Sequence, residues 1–184
     1  MLGALHRQHA GDGQTRIIEE MGVWSGSVRI DVAVINGELQ GFELKSARDT
    51  LSRLPAQANL YSQVFDRVTL VTAERHFCAA KKKIPKWWGI TLAFPEKVGE
   101  IGLRDITMPK LNPSIDPVQL ARLLWRSEAL KILETHGIDR GVRSAPVEAM
   151  TLRLSERLTL ETLRLEVRTT LKNRSNWLGQ PVRN

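Results

Sequence analysis

The sequence predicts an α/β layer structure followed by an all-helical tail. Two observations carry that reading: β-branched apolar runs alternate with helical stretches up to about residue 95, and helical patterning alone follows a proline-broken segment. Residues 14–22, QTRIIEEMG, read as a short helix with Gly22 as its carboxy-terminal cap. Residues 28–35, VRIDVAVI, carry the composition of a strand, Asn36-Gly37 marks a turn, and LQGFELK at 39–45 is the returning strand. Residues 51–65 are expected to be helical, with Pro55 in the first turn and Gln57 and Tyr61 on a stripe beside Leu60 and Val64. RVTLVTA at 67–73 is the best buried-strand pattern in the chain. A basic amphipathic stretch over 75–86 then leads through Trp87 and Trp88 to a last strand at 88–94.

Beyond Phe94 the character changes. Pro95, Pro109, Pro113 and Pro117 interrupt the chain and few β-branched residues follow. Asp116-Pro117 starts a helix over 117–136 that ends at Gly137, and Thr159 caps a final helix carrying Leu160, Leu163, Val167 and Leu171. The expected organisation is a core at 14–95, a connecting region at 96–116 and a basic helical extension at 117–184.

Composition excludes several classes. At 184 residues the chain can bury one core with a small appended module. No apolar run approaches the roughly 20 residues that span a bilayer. The first residues, MLGALHRQHAGDG, lack the basic start and long apolar stretch of a secretory signal. A soluble, cytoplasmic protein with no membrane partner is expected. The single cysteine, Cys78, forms no internal disulfide and reads as a small buried hydrophobe in a helix, and no Cys/His cluster has zinc-ligand spacing. Lys and Arg number 27 against 20 Asp and Glu, a net charge of +7. Such an excess attracts phosphate but also keeps a protein soluble, so it is a weak vote for nucleic acid.

The chemistry concentrates on two strands. Asp31 is a carboxylate inside an apolar strand, while Glu43 and Lys45 flank Leu44 and therefore share a face. Charges embedded in core strands are costly unless paired or bound to metal. Two neighbouring carboxylates suit a divalent cation that prefers oxygen ligands and keeps waters, as magnesium does. A lysine beside it can hold a water or stabilise charge growing on a phosphate. Register is the check. A two-residue loop at Asn36-Gly37 would put Asp31 and Glu43 on opposite faces; a three-residue loop, Asn36 to Glu38, pairs Ile35 with Leu39 and brings Asp31 opposite Glu43.

The motif IDVAVINGELQGFELK, with Asp31 followed by Glu43-Leu44-Lys45, resembles that of the PD-(D/E)XK nuclease superfamily, the fold of many restriction enzymes and recombination nucleases. Glu19 and Glu20 precede the aspartate strand where that superfamily often places a helix glutamate. Gln57 and Tyr61 match its QxxxY helix, as in the lambda-exonuclease-like branch. The string from Arg29 to His76, with WWG around residue 88 and LLWRSEAL at 123–130, is similar to a small, poorly characterised bacterial family assigned to the superfamily. One departure stands out: the superfamily core has a strand between the first helix and the aspartate strand, and here only VWSGS at 23–27 lies between them.

The resemblance implies a restriction-endonuclease-like core, a mixed sheet flanked by helices, with an α-helical extension. It implies metal-dependent hydrolysis of DNA phosphodiesters. Asp31, Glu43 and the Leu44 carbonyl would hold Mg2+ or Mn2+; Lys45 would position water, and Gln57 and Glu20 would support metal or water, with Glu19 not separable from Glu20. Arg48 and Arg53, with Ser46, either contact the DNA backbone or are simply solvated. Tyr61 serves either packing or phosphate contact. Lys81, Lys82, Lys83 and Lys86 beside the two tryptophans could grip DNA, with core packing the preferred role for the indoles. Arg122, Arg126, Arg140 and Arg143 in the tail are further phosphate candidates, or the tail mediates a homodimer. His76 and His136 lack partners at triad spacing. Two rival expectations are a nuclease fold that binds DNA without cutting, and a protein-interaction module such as a toxin or anti-defence protein.

Overall fold

The structure, a computed structural model, describes residues 3, 12–23, 28–96 and 100–175. A six-stranded sheet has the order β1-β2-β3-β4-β5-β6, formed by β1 (Arg16–Val23), β2 (Val28–Ile35), β3 (Leu39–Lys45), β4 (Arg67–Ala73), β5 (Gly89–Pro95) and β6 (Ile101–Thr107). The sheet is mixed: β2–β3 and β5–β6 are antiparallel, and β3–β4 and β4–β5 are parallel. Parallel neighbours need crossovers. Helix α1 (Leu54–Tyr61) supplies the first; a 3-10 turn (Glu74–His76) with α2 (Phe77–Lys81) supplies the second. Four helices follow: α3 (Pro117–Ala121), α4 (Arg126–Thr135), α5 (Val147–Arg157) and α6 (Leu160–Asn173). Internal contacts divide the chain into two compact units, residues 1–21 with 28–115, and residues 22–27 with 116–184. The expected strands at 28–35, 39–45 and 67–73 form at those positions.

Residues 14–22 are not a helix but most of β1, and Gly22 lies within the strand rather than capping a helix. Ile18 and Met21 are both buried, a three-residue spacing that imitates a helical period. The cause is Glu20, whose φ of 50° shifts the side-chain alternation by one residue, so that Met21 and Val23 face inward instead of Glu20. The segment read as a helix is thus a strand, and residues 24–27 lie outside the described residues.

The β2–β3 hairpin has the three-residue loop. Ile35 pairs with Leu39 and Val32 with Phe42, and Gly37 takes the positive φ, 103°, that the turn requires. The ladder ends one pair short of Asp31. There Ile30 reaches over Gly41, where an added Cβ would lie 2.4 Å from its Cδ1 and 3.1 Å from the Phe65 ring. Along β3, Leu39, Gly41, Glu43 and Lys45 form the buried face. Helix α1 buries Leu54, Ala58 and Tyr61, and is shorter than the expected 51–65. Its far end is tied to the hairpin: buried Asp66 accepts the Leu39 N–H at 2.6 Å and returns its own N–H to the Leu39 carbonyl at 2.8 Å.

The segment 96–116 is not only a connection, because β6 lies within it and completes the sheet. It is an edge strand with five of its seven residues exposed, so it has no need of the apolar composition that marks β4. The helix expected over 117–136 is two helices. At the break, the Leu123 carbonyl accepts from the Arg174 guanidinium at 2.9 Å, and the Trp125 N–H donates to Glu128 at 2.7 Å. Arg174 also pairs with Glu128 and lies 4.2 Å from the centre of the Trp125 ring. Thr159 does cap α6, accepting the Thr162 N–H at 3.2 Å, and Leu163, Val167 and Leu171 are buried while Leu160 is exposed.

Gly41→Ala should force Ile30 and Phe65 apart and lower the urea-unfolding stability by about 1–3 kcal/mol. Gly13→Ala, with nothing within 4 Å, is the control and should leave the midpoint unchanged.

Candidate active site

Glu43 is the centre of the site. Strand alternation sends it beneath α1, where it is 1% exposed, and Lys45, two residues on, is 6% exposed on the same face. Lys45 Nζ pairs with Glu43 Oε1, which also accepts the Gln57 amide at 2.6 Å. The Tyr61 hydroxyl lies 3.0 Å from Glu43 Oε2 and 2.6 Å from the Arg29 carbonyl, so its single proton is shared between a side chain of β3 and the backbone of β2. Gln57 and Tyr61, one helical turn apart on α1, therefore hold the two oxygens of one carboxylate.

Asp31 reaches the cluster by leaving the ladder rather than by a further strand pair. Its Oδ2 accepts the Leu44 N–H at 2.6 Å. Burial raises the Glu43 pKa above its ordinary value; the Lys45 hydrogen bond opposes the rise and the Asp31 charge adds to it. Burial, then the charge of Glu43, pushes the Tyr61 hydroxyl far above its usual range, so it remains a proton donor.

No group of three or more His, Cys, Asp or Glu able to hold a metal ion occurs among the described residues. The chemistry of the donors nonetheless fits a hard cation. Asp31 and Glu43 supply carboxylate oxygens, and Gln57 Oε1 is a buried acceptor with no hydrogen-bond partner. Magnesium binds through one or two carboxylates and keeps waters for its other positions.

The remaining expectations separate. Glu20 is exposed on β1 rather than on a helix, and it makes no bond to the cluster; Glu19 is half-buried on the same strand. Tyr61 is fully buried, so its place is packing and hydrogen bonding within the cluster rather than contact with a phosphate. Arg48 and Arg53 are exposed in the segment after β3, while the Ser46 hydroxyl is held by Asp49 at 2.6 Å. Lys81, Lys82, Lys83 and Lys86 are exposed, and Trp88 is buried as expected, stacked on Tyr61 with ring centres 6.2 Å apart. Cys78 is exposed, not buried. In the second unit Arg122, Arg126, Arg140 and Arg143 are all exposed; Arg143 pairs with Asp139, and His136 lies 2.8 Å from Glu166. Sequence reasoning missed the Arg29 carbonyl as a partner of Tyr61, since a backbone group leaves no mark in residue identity.

The Glu43 shift has a sign that can be checked. A raised carboxyl pKa means the folded state holds the proton more tightly than the unfolded chain. That contribution to stability is full below the ordinary pKa of 4.5 and is lost as pH rises through the folded-state value. Lys45→Met removes the hydrogen bond and charge that pull the pKa down. Carboxyl 13C NMR should therefore show Glu43 titrating above 4.5 in the wild type and at higher pH still in Lys45→Met. An unchanged or lower value in the variant refutes this electrostatic account.

Comparison with known proteins places the chain. The family model described as Bacteriophage P4 protein cII matches residues 1–179. Protein cII of Enterobacteria phage P4 is 30% identical over 160 residues, which cover 86% of this chain. The chain spans 59% of the length of that relative. A solved structure of a protein of unknown function from Silicibacter pomeroyi matches with a TM-score of 0.43 at 18% identity, over 84% of this chain and 88% of that one, a likeness too distant to bear on fold or function. No helix among the described residues is long and apolar enough to cross a membrane. The match over nearly the whole length, with the identity to the phage protein, makes this chain a member of the bacteriophage P4 protein cII family.

Proposed function

We propose that the protein is a metal-dependent DNA phosphodiesterase with a PD-(D/E)XK-type site. The observation that carries this reading is a buried Glu43 bonded to both Lys45 and Gln57, with the Asp31 carboxylate near enough to raise its pKa. Asp31, Glu43 and the Leu44 carbonyl would hold Mg2+ or Mn2+, with Gln57 Oε1 available to accept from a metal-bound or free water. Such an ion, when bound, neutralises charge on the phosphate and lowers the pKa of a water. Each residue of the chain then has a part in hydrolysis. The Lys45 ammonium donates to the non-bridging phosphate oxygen on which charge builds as water attacks phosphorus and loses a proton to solvent, while the P–O bond to the leaving strand breaks and the departing oxygen takes a proton from solvent. Gln57 and Tyr61 hold the Glu43 carboxylate so that no energy is spent reorienting it. Asp31 keeps one oxygen on the Leu44 N–H, and its other oxygen would be the one to hold the ion.

A second reading is a protein of the same fold that binds DNA without cutting. It is favoured by one observation: both Glu43 oxygens already have partners within the chain.

The test is cleavage of single-stranded, duplex and branched DNA with Mg2+ or Mn2+, comparing wild type, Asp31→Asn and Lys45→Ala at equal thermal stability. Each substitution should lower the rate by about 100-fold or more. Equal cleavage by all three would overturn the assignment of the site. Wild type that cuts none of the substrates, yet binds DNA with an affinity that falls steeply with salt, would establish the second reading.

A further inference from the structure

Away from Glu43, α2 and the turn after it cover a cavity of about 550 Å3. That size falls within the range of small-molecule sites, about 300–1,000 Å3. Its wall includes Phe77, Trp88 and Ile90, and its rim carries Lys81, Lys82 and Lys86. The three lysines are exposed, and none forms an ion pair with a described carboxylate. Lys81 lies over the Phe77 ring at 5.9 Å, so aromatic surface and positive charge already meet at the mouth.

The cavity is joined to the candidate active site in two ways. Trp88 stacks on Tyr61, whose hydroxyl meets Glu43. Strand register also aligns Glu43 with Leu70, and Leu70 with Ile90, so the cavity wall stands two strands from Glu43 in the same row. At about 4.8 Å per strand that is roughly 10 Å.

We propose that this cavity binds an unstacked nucleotide, its base against the half-buried Phe77 ring and its phosphate on Lys81, Lys82 and Lys86. Three cations without an ion pair among the described residues select an anion, and an aromatic ring such as Phe77 accepts the π-face of any base. This deepens the hydrolytic reading and rests on it to the extent that it names the substrate: DNA with an unpaired nucleotide beside the reacting phosphate.

The single cysteine gives a direct readout, because Cys78 is exposed and borders the cavity. The full chain is alkylated with N-ethylmaleimide and the rate followed by mass spectrometry, with dAMP, a single-stranded oligonucleotide, a blunt duplex of equal length, inorganic phosphate or dodecanoate present. The nucleotide or the single strand should slow alkylation about tenfold at roughly ten times its Kd. Protection by dAMP identifies a free nucleotide as sufficient; protection by the strand alone identifies the nucleotide within DNA. Lys82→Glu with Lys86→Glu should weaken protection at least about tenfold, whereas the exposed Lys131→Glu should not. No protection by either nucleotide form, equal protection by the duplex, or protection by phosphate or dodecanoate alone overturns the proposal. Repeating the assay with Asp31→Asn keeps the two readings apart. Protection with cleavage lost supports both, and cleavage by wild type without protection sinks the cavity while sparing the hydrolytic site.

Discussion

A carboxylate taken out of water must be matched by donors, and in the sheet unit nearly every element near Glu43 answers that demand. β3 supplies Lys45 from the same face; α1 supplies Gln57 and Tyr61 from adjacent turns. The Tyr61 hydroxyl extends the network to the β2 backbone at Arg29, and its ring packs edge-on against Phe65 and stacks on Trp88. One buried charge thus ties together β2, β3, α1 and the start of β5. An isolated buried ion would be far too costly, which is why these residue types occur as a set and at these spacings.

The parts of this arrangement governed by local rules were legible in the sequence. Period-two alternation places Glu43 and Lys45 together and a one-turn interval places Gln57 and Tyr61 together, while of the two loop lengths the sequence left open the structure takes the three-residue one. The parts governed by tertiary context were not. Nothing in RIIEEMGV announces that Glu20 will adopt a positive φ, and the shift it causes gives the apolar residues of β1 a spacing that reads as a helix. β6 escaped notice for the opposite reason: an edge strand is exposed, so its sequence carries no core signature. The approach of Asp31 is intermediate. A three-residue loop would bring it opposite Glu43, but the ladder stops at Val32 and Asp31 bonds the Leu44 N–H instead, which residue identity does not announce.

The same distinction explains the second unit. Helical propensity runs through residues 122–125, and a continuous helix is the local expectation. The break exists because Arg174, some fifty residues later, takes the Leu123 carbonyl and the Glu128 carboxylate. A guanidinium offers several donors in one plane, so it can satisfy both while lying on the Trp125 ring. The Arg174 and Glu128 side chains give the Leu123 carbonyl and the Trp125 N–H the partners that a continuous helix would have supplied.

Charge balance gives the candidate site its chemical direction. Asp31 and Glu43 bring two potential negative charges and Lys45 one positive, and even with Lys45 bonded to it the Glu43 pKa remains raised. Burial is the main cause of that rise and the Asp31 charge adds to it, so the folded site holds the Glu43 proton more tightly than water does. Under the hydrolytic proposal, a divalent cation would supply positive charge that keeps both carboxylates ionised. The proton and the ion are then alternatives for the same oxygens. The Lys45 hydrogen bond, which pulls the Glu43 pKa down, favours the ionised form that a cation would need, whereas the full hydrogen bonding of both oxygens within the chain weighs toward binding without cutting.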